Sequence, residues 1–388
     1  MDAQDHILVA SMADVRPLAS MLRSLSFRSL ATVRFDKRGL RVTVEEGRGI
    51  QAHAYINSTA FASYKFQVDR DDPAARLDDP PGSPGSSPVP EATEDEPDLH
   101  CLTSVSLSTM LECLNIFGNA GGSGSSGNPF KRERESSVDG GEDGPGGRGR
   151  RRKQGAAREE AEEPIGKERT SLRISYKASG EPLVMLLEES GIVTRCELTT
   201  YEPDGMLDLA FPVEDQVVRL IMKSEWLRDA LADLPPSSEK LTISFAPPHL
   251  VSHAQANTGR YKRRRLGSEG FDQDGEEEGQ EGDEEVPLFR LESVGTMGST
   301  ELDYTDDKDV LEVFECEQAV RNSYSYKHLQ LTKSALSASV KTSIRTSQHG
   351  LVSFQFMIPL SARGPKASLQ EDRVGFVEFL CLPLDEEY

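Results

Sequence analysis

The feature that most constrains this chain is a change of hydrophobic period close to residue 30. Across Asp14–Leu25 the apolar residues Val15, Leu18, Leu22 and Leu25 recur at helical spacing, while Arg16, Ser20 and Arg23 fall elsewhere on the turn. Asp14 reads as the N-cap, and Pro17 lies in the first turn, where a missing N–H costs least. The period then becomes two. Ala31, Val33 and Phe35 alternate with polar neighbours up to the turn Asp36-Lys37-Arg38-Gly39. Leu40, Val42 and Val44 alternate up to Glu46-Gly47-Arg48-Gly49, and Ile50, Ala52, Ala54 and Ile56 alternate again. A helix of this kind must cover one face of a β-meander, which leaves two arginines on its outer side.

The chain has 388 residues, enough for two or three domains. Its net charge of −21 argues against a nucleic-acid partner until the distribution of charge is considered. No apolar run approaches the roughly 18 residues of a membrane span, and the N-terminus lacks a basic-then-apolar signal pattern, so the sequence reads as intracellular. Cys101, Cys113, Cys196, Cys316 and Cys381 are scattered without a Cys-x-x-Cys pair. They are expected to be small buried hydrophobes, not metal ligands or disulfides.

Three segments are too polar and too rich in Pro, Gly and Ser to order themselves: Asp71–Pro97, Asn119–Glu168 and Ser252–Glu285. Between them the alternation returns. Leu99–Val105 reads as a strand, Ser106–Phe117 as a helix with the stripe Leu107, Leu111, Leu114 and Phe117, and Thr170–Ala178, Leu183–Leu187 and Ile192–Thr199 as strands. Thr200–Glu214 is too apolar for a solvated tail and too irregular for a helix, so it is expected to lie as an ordered linker on a surface. From Val217 the order recurs: the strand Val217–Met222, a helix capped by Ser224, and strands Leu241–Phe245, Leu288–Val294, Glu301–Tyr304 and Val310–Cys316. A short helix within Lys327–Ala338, the hairpin Val340–Arg345 with Leu351–Ile358, and the strand Val374–Leu382 complete it. The expectation is an α+β chain of two repeated modules with helices on one face of antiparallel sheets. The modules are 1–199 and 215–388, joined by a connector at 200–214. With the insertions 71–97, 119–168 and 252–285 removed, each has an ordinary domain size of about 140 residues.

These residues resemble the DNA sliding clamps. Met21–Ile56, with Leu25-Ser26-Phe27 and Gly39-Leu40-Arg41-Val42-Thr43-Val44-Glu45, is similar to the N-terminal module of that superfamily. The closer resemblance is to the checkpoint (nine-one-one) clamp subunit often labelled a DNA repair exonuclease. Leu111-Glu112-Cys113-Leu114-Asn115-Ile116-Phe117-Gly118, Pro182–Glu189 and Val340–Thr346 carry it further, across essentially all the ordered parts. The resemblance implies a heterotrimeric ring around double-stranded DNA, without sequence preference and without cofactor. Its partners would be two other clamp subunits, a clamp loader, and checkpoint and repair proteins, in the nucleus and away from membranes. A homotrimeric replication clamp is the variant of this reading. Edge strands would join subunits head to tail, through Ile192, Val193, Cys196 and Leu198 in the first module and Glu301 and Asp303 in the second.

Basic residues on the helices would face DNA: Arg16, Arg23, Arg28, Lys223, Arg228, Lys327, His328 and Lys333. The alternative is that they are solvated helix charges, and Ser106–Phe117 carries no Lys or Arg at all. A ring retained topologically needs only weak, salt-sensitive phosphate contacts. The three insertions carry −7, 0 and −5, which leaves −9 for the rest, compatible with an acidic exterior and a basic hole. Leu207, Leu209 and Phe211 either line a groove for a partner peptide or pin the connector to the sheet. Arg150, Arg151, Arg152 and Lys153, with Lys262, Arg263, Arg264 and Arg265, read as nuclear import signals, and alternatively as DNA tethers or charge balance. A 3′–5′ exonuclease is the rival class. It needs carboxylates converging on metal ions about 4 Å apart. Asp272–Glu285 lacks a scaffold for that, and Glu301 and Asp303 share a strand face on an expected interface. His249 and His253 are four apart, but Pro247-Pro248 opposes a helix there, so no zinc site is expected.

Overall fold

The computed structural model describes residues 6–68, 76–77, 99–118, 169–203, 205–206, 209–248, 263–265, 287–296, 298–360 and 374–384. The first part of the chain runs β1 (Leu8–Met12), α1 (Arg16–Ser24), β2 (Leu30–Asp36), β3 (Gly39–Glu46), β4 (Ile50–Asn57), β5 (Ser63–Phe66), β6 (Arg76–Leu77), β7 (Leu99–Ser106), α2 (Leu107–Leu114), β8 (Ser171–Tyr176), β9 (Leu183–Glu189), β10 (Ile192–Leu198) and β11 (Thr200–Tyr201). The second runs β12 (Gln216–Lys223), α3 (Ser224–Asp233), β13 (Ser238–Phe245), β14 (Arg263–Arg265), β15 (Phe289–Gly295), β16 (Gly298–Tyr304), β17 (Leu311–Cys316), β18 (Val320–Ser325), α4 (Tyr326–Leu331), α5 (Lys333–Ala338), β19 (Lys341–Ser347), β20 (Val352–Pro359) and β21 (Val374–Cys381). The chain is α+β, with mostly antiparallel sheets and few helices.

Antiparallel pairing builds three sheets. One is ordered β10-β9-β8-β1-β5 and another β14-β16-β15-β13-β18. The long one runs β11-β7-β2-β3-β4-β21-β20-β19-β12-β17, with β6 also on β7. The two parts of the chain meet inside that sheet, where β21 pairs with β4 from Phe376 opposite Tyr55 to Cys381 opposite Ile50. The period-two pattern explains which face is covered. Leu40, Val42, Val44, Ile50, Ala52, Ala54 and Ile56 are all buried, and α1 lies on β4 and β21. Between β2 and β3 the Asp36 carboxylate accepts from the N–H groups of Arg38 (2.8 Å) and Gly39 (3.0 Å). Gly39 has φ +147°, and any Cβ there would run into the Ile56 carbonyl, so only glycine closes this turn.

The helices form a row on one side of the long sheet. α1 packs against α2 and α5, and α5 packs against α3. Their boundaries differ from expectation in three places. Asp14 does accept the Arg16 N–H at 3.0 Å, but the helix begins one residue later, after Val15. Ser224 is the first residue of α3 and does not cap it. Its hydroxyl is buried in a chain with Thr342 Oγ1 (2.9 Å) and Ser339 Oγ (2.7 Å), partners that a local pattern cannot reveal. The helix expected within Lys327–Ala338 is split at Thr332, whose hydroxyl donates back to the Leu329 carbonyl at 2.7 Å. Two short strands, β6 and β14, fall inside segments expected to lack order.

Candidate functional surfaces

Three surfaces collect the residues singled out above: the helix row, the ends of the two small sheets, and the connector on the opposite face. On the helix row the C-terminal end of α1 meets the start of α5, where the Ser334 hydroxyl lies 3.5 Å from the Arg23 carbonyl. Arg23 is half-buried, and desolvation lowers its pKa from the ordinary arginine value. Lys333, exposed, begins α5 with its ammonium 6.0 Å from the Tyr326 ring centroid. Lys223 and Lys327 are exposed. The other cations have partners. Asp14 grips the Arg16 guanidinium through contacts of 2.5–3.1 Å. Burial pushes the Asp14 carboxyl upward, but Arg16 and Arg169 outweigh it and the net shift is downward. Arg28 pairs with Glu46 at 3.2 Å, and Arg228 with Asp229 at 3.4 Å. His328 packs over Gly49 in the β3–β4 turn. Desolvation lowers its pKa, and the Glu46 charge opposes the shift. The row is therefore basic in places and not continuously so.

The two sheet ends differ. β10 is the last strand of its sheet, with Ile192 61% and Val193 62% exposed. Cys196 is half-buried, and Leu198 is buried inside the chain's own core instead of lying on a free edge. β16, by contrast, is not terminal. β14 pairs with it, Arg263 opposite Leu302, Arg264 opposite Glu301 and Arg265 opposite Thr300. Part of the second basic cluster is therefore a strand covering the expected edge. Arg150–Lys153 and Lys262 lie outside the described residues. On β16 the two carboxylates share a cation. Arg290 meets Asp303 at 2.7 and 3.0 Å and Glu301 at 3.7 Å. Among the described residues no group of three or more His, Cys, Asp or Glu could hold a metal ion; His249, His253 and Asp272–Glu285 lie outside them.

The connector crosses the sheet face opposite the helices. β11 pairs with β7, and Met206 Sδ lies 3.8 Å from Thr32 Oγ1. The Leu209 N–H donates to Gln51 Oε1 at 2.9 Å. Phe211 is 4% exposed, packed with Leu351 and Leu380, with Leu209 against them. The Arg345 guanidinium stacks 4.5 Å from its ring centroid. Of the two readings of these apolar residues, pinning accounts for Phe211. Leu207 lies outside the described residues. Arg345 in turn reaches Glu378 at 2.8 Å. Glu378 also accepts from Ser353 (2.6 Å), Gln355 (3.3 Å) and Tyr55 (3.2 Å). This buried network ties β4, β19, β20 and β21 together beneath the connector, and its residues carried no signal in the local pattern.

His53 lies in the same layer, fully buried, with Nδ1 2.9 Å from Thr43 Oγ1. Burial first, then the Arg41 charge, lowers its pKa from 6.5 to about 3, and a hydrogen bond with the Leu209 backbone opposes this. The folded chain therefore binds fewer protons than the unfolded chain between those two values. Stability from this group is complete above pH 6.5 and is lost as pH falls toward 3, by up to about 1.4 kcal/mol per unit. Urea unfolding at pH 7.5 and 5.0 is expected to show a smaller difference in His53→Gln than in the parent, by up to roughly 2 kcal/mol. Equal pH sensitivity in both would show that His53 is not held neutral.

No helix among the described residues is long and apolar enough to cross a membrane. Comparison with known proteins places this chain in a family. The model described as "Repair protein Rad1/Rec1/Rad17" matches residues 7–358. The "Cell cycle checkpoint protein RAD1" of Homo sapiens is 28% identical over 98% of this chain and 93% of its own length. The "DNA repair exonuclease REC1" of Mycosarcoma maydis is 28% identical over 97% and 96%, and the "DNA damage checkpoint control protein rad1" of Schizosaccharomyces pombe 24% over 96% and 84%. Most of the names are those of checkpoint proteins and one is that of an exonuclease. The fold, the near-complete coverage and the span of the match agree: this chain belongs to the Rad1/Rec1/Rad17 family of checkpoint and repair proteins.

Proposed function

We propose that this chain is one of three different subunits of a ring-shaped checkpoint clamp that encircles double-stranded DNA at damage. The observation that carries the proposal is the layout of the sheets. One long sheet bears a row of helices on a single face, and a strand with exposed apolar residues, β10, ends one of the two flanking sheets. Such a body can join its neighbours edge to edge, with helices toward a central hole and the connector outside. The division is 1–199 and 215–388 as two repeated modules, 200–214 as connector, and 71–97, 119–168 and 252–285 as insertions. Lys223, Lys327 and Lys333 face DNA together with Arg23, while Arg16, Arg28 and Arg228 contribute less because carboxylates already hold them. Weak backbone contact is sufficient for a ring.

In this reading β10 pairs with one neighbour and β16 with the other, so β14 leaves β16 when the ring closes. A clamp loader opens and closes it, and checkpoint and repair proteins dock on the outer face, in the nucleus. The chain is non-catalytic. Glu301 and Asp303, the carboxylates nearest to a nuclease pair, are engaged by Arg290, which lowers their availability to metal. Co-expression with the two other clamp subunits, followed by mass determination, is expected to give a 1:1:1 complex. A chain that remains monomeric beside both partners, or that trimerises alone, overturns the proposal. Metal-dependent DNA degradation that is lost on substitution of Glu301 and Asp303 overturns its non-catalytic part.

A further inference from the structure

The sequence gives no sign that any two of the five cysteines belong together, because Cys113 and Cys196 are separated by an entire insertion. The fold brings them to one seam. Cys113 lies in the last turn of α2, and Cys196 lies on β10 opposite Met185, on the strand face that also carries the buried Leu198. α2 packs on β10, and both cysteines are partly buried against the same core. The two thiols are within hydrogen-bonding reach of each other. Both are free, and neither is sealed off from solvent as Cys101 and Cys381 are.

We propose that Cys113 and Cys196 form an oxidation-dependent disulfide that staples α2 to the terminal strand β10. Closure draws the two sulfurs from this contact to an S–S bond of about 2.05 Å. Desolvation, and then the hydrogen bond and charge of Cys196, push the Cys113 thiol up to about 12. One of the two thiols takes the first oxidation. Its sulfur attacks one oxygen of hydrogen peroxide, the O–O bond breaks, and the departing hydroxide takes up the thiol proton as water, giving a sulfenic acid. The other sulfur then attacks the oxidised one and loses its proton, and the sulfenic oxygen departs as water. In all, two thiols and one peroxide give one disulfide and two waters. Cys316 has a different environment. Its Sγ lies 3.1 Å from the Gln318 carbonyl, and burial pushes its thiol up to about 11.

This inference does not depend on the ring. The test uses the purified full-length chain, reduced, treated with hydrogen peroxide, alkylated and digested without reductant. The expected result is a Cys113–Cys196 linked peptide pair as the main disulfide. A rise of a few degrees in Tm should accompany it, reversed by dithiothreitol. Cys113→Ser and Cys196→Ser should each lose both the linked pair and the rise, with Cys316→Ser keeping both. If either serine variant fails to fold, peptide mapping of the parent alone decides. Recovery of both cysteines alkylated after peroxide, or a main crosslink through Cys316, overturns the proposal.

Discussion

Replacing Glu378 with alanine is expected to lower the stability of the free chain by about 3–5 kcal/mol, and Tm by roughly 10 °C. The reason is what the substitution leaves behind. Arg345 and Glu378 are nearly buried, with side chains 17% and 9% exposed. With the carboxylate gone, a guanidinium remains in a dry layer without its countercharge, and the Ser353 and Gln355 side chains lose their acceptor. An unpaired buried charge costs far more than an intact pair contributes. Glu378→Gln keeps the shape and some of the hydrogen bonds, so its loss should be about half as large. Arg345 also roofs Phe211, so the damage should reach the connector. Hydrogen exchange around residues 209–211 should quicken in Glu378→Ala while β8 and β9 are unchanged. A loss below about 1 kcal/mol in urea unfolding would mean that water already solvates the guanidinium.

That network also shows where sequence reading stops. The strands β2, β3 and β4 were legible because the face under the helices is lined by apolar side chains and the other largely by polar ones, even where the connector buries Gln51 and His53, which imprints alternation on the chain. β18 was missed because it is Val-Arg-Asn-Ser-Tyr-Ser. Its buried Ser323 is satisfied by Thr242 at 2.9 Å, from a strand about 80 residues away. Periodicity reports burial of apolar surface, and it is silent when buried polar groups satisfy one another. Glu378 is in the same position, since its partner Tyr55 is 323 residues distant. For the candidate surfaces the positions were readable but their partners were not. Arg28 read as a free cation until the fold placed Glu46 beside it. The edge β16 read as bare until β14 was seen on it, because nothing in a polar insertion announces a three-residue strand. Phe211 and Leu209 were singled out for being apolar in an irregular stretch, and only the fold shows that Phe211 is already covered.

The largest functional effect is expected at β10. Ile192→Asp combined with Val193→Asp should weaken assembly with the neighbouring clamp subunit by at least about 50-fold, while the free chain stays folded. Both side chains are more than half exposed in the free chain, so their replacement removes little internal packing. Asp is a poor strand former, and the cost to the monomer should remain within about 1 kcal/mol for each. In the proposed ring the same two positions would lie against a partner strand. Two carboxylates there must be stripped of water without a matching cation, and exposed edges of this kind are stable against self-association only when charged or covered. The control is Phe376→Asp, an apolar residue 43% exposed in the middle of the long sheet, where β4 and β20 already flank its strand. It should leave assembly unchanged, because no strand edge is available there. Assembly can be read by size-exclusion chromatography with mass detection, and folding by the Tm of each variant alone. If the double aspartate assembles as tightly as the parent, the chain's neighbour is not on β10, and the head-to-tail arrangement built on that strand fails with it.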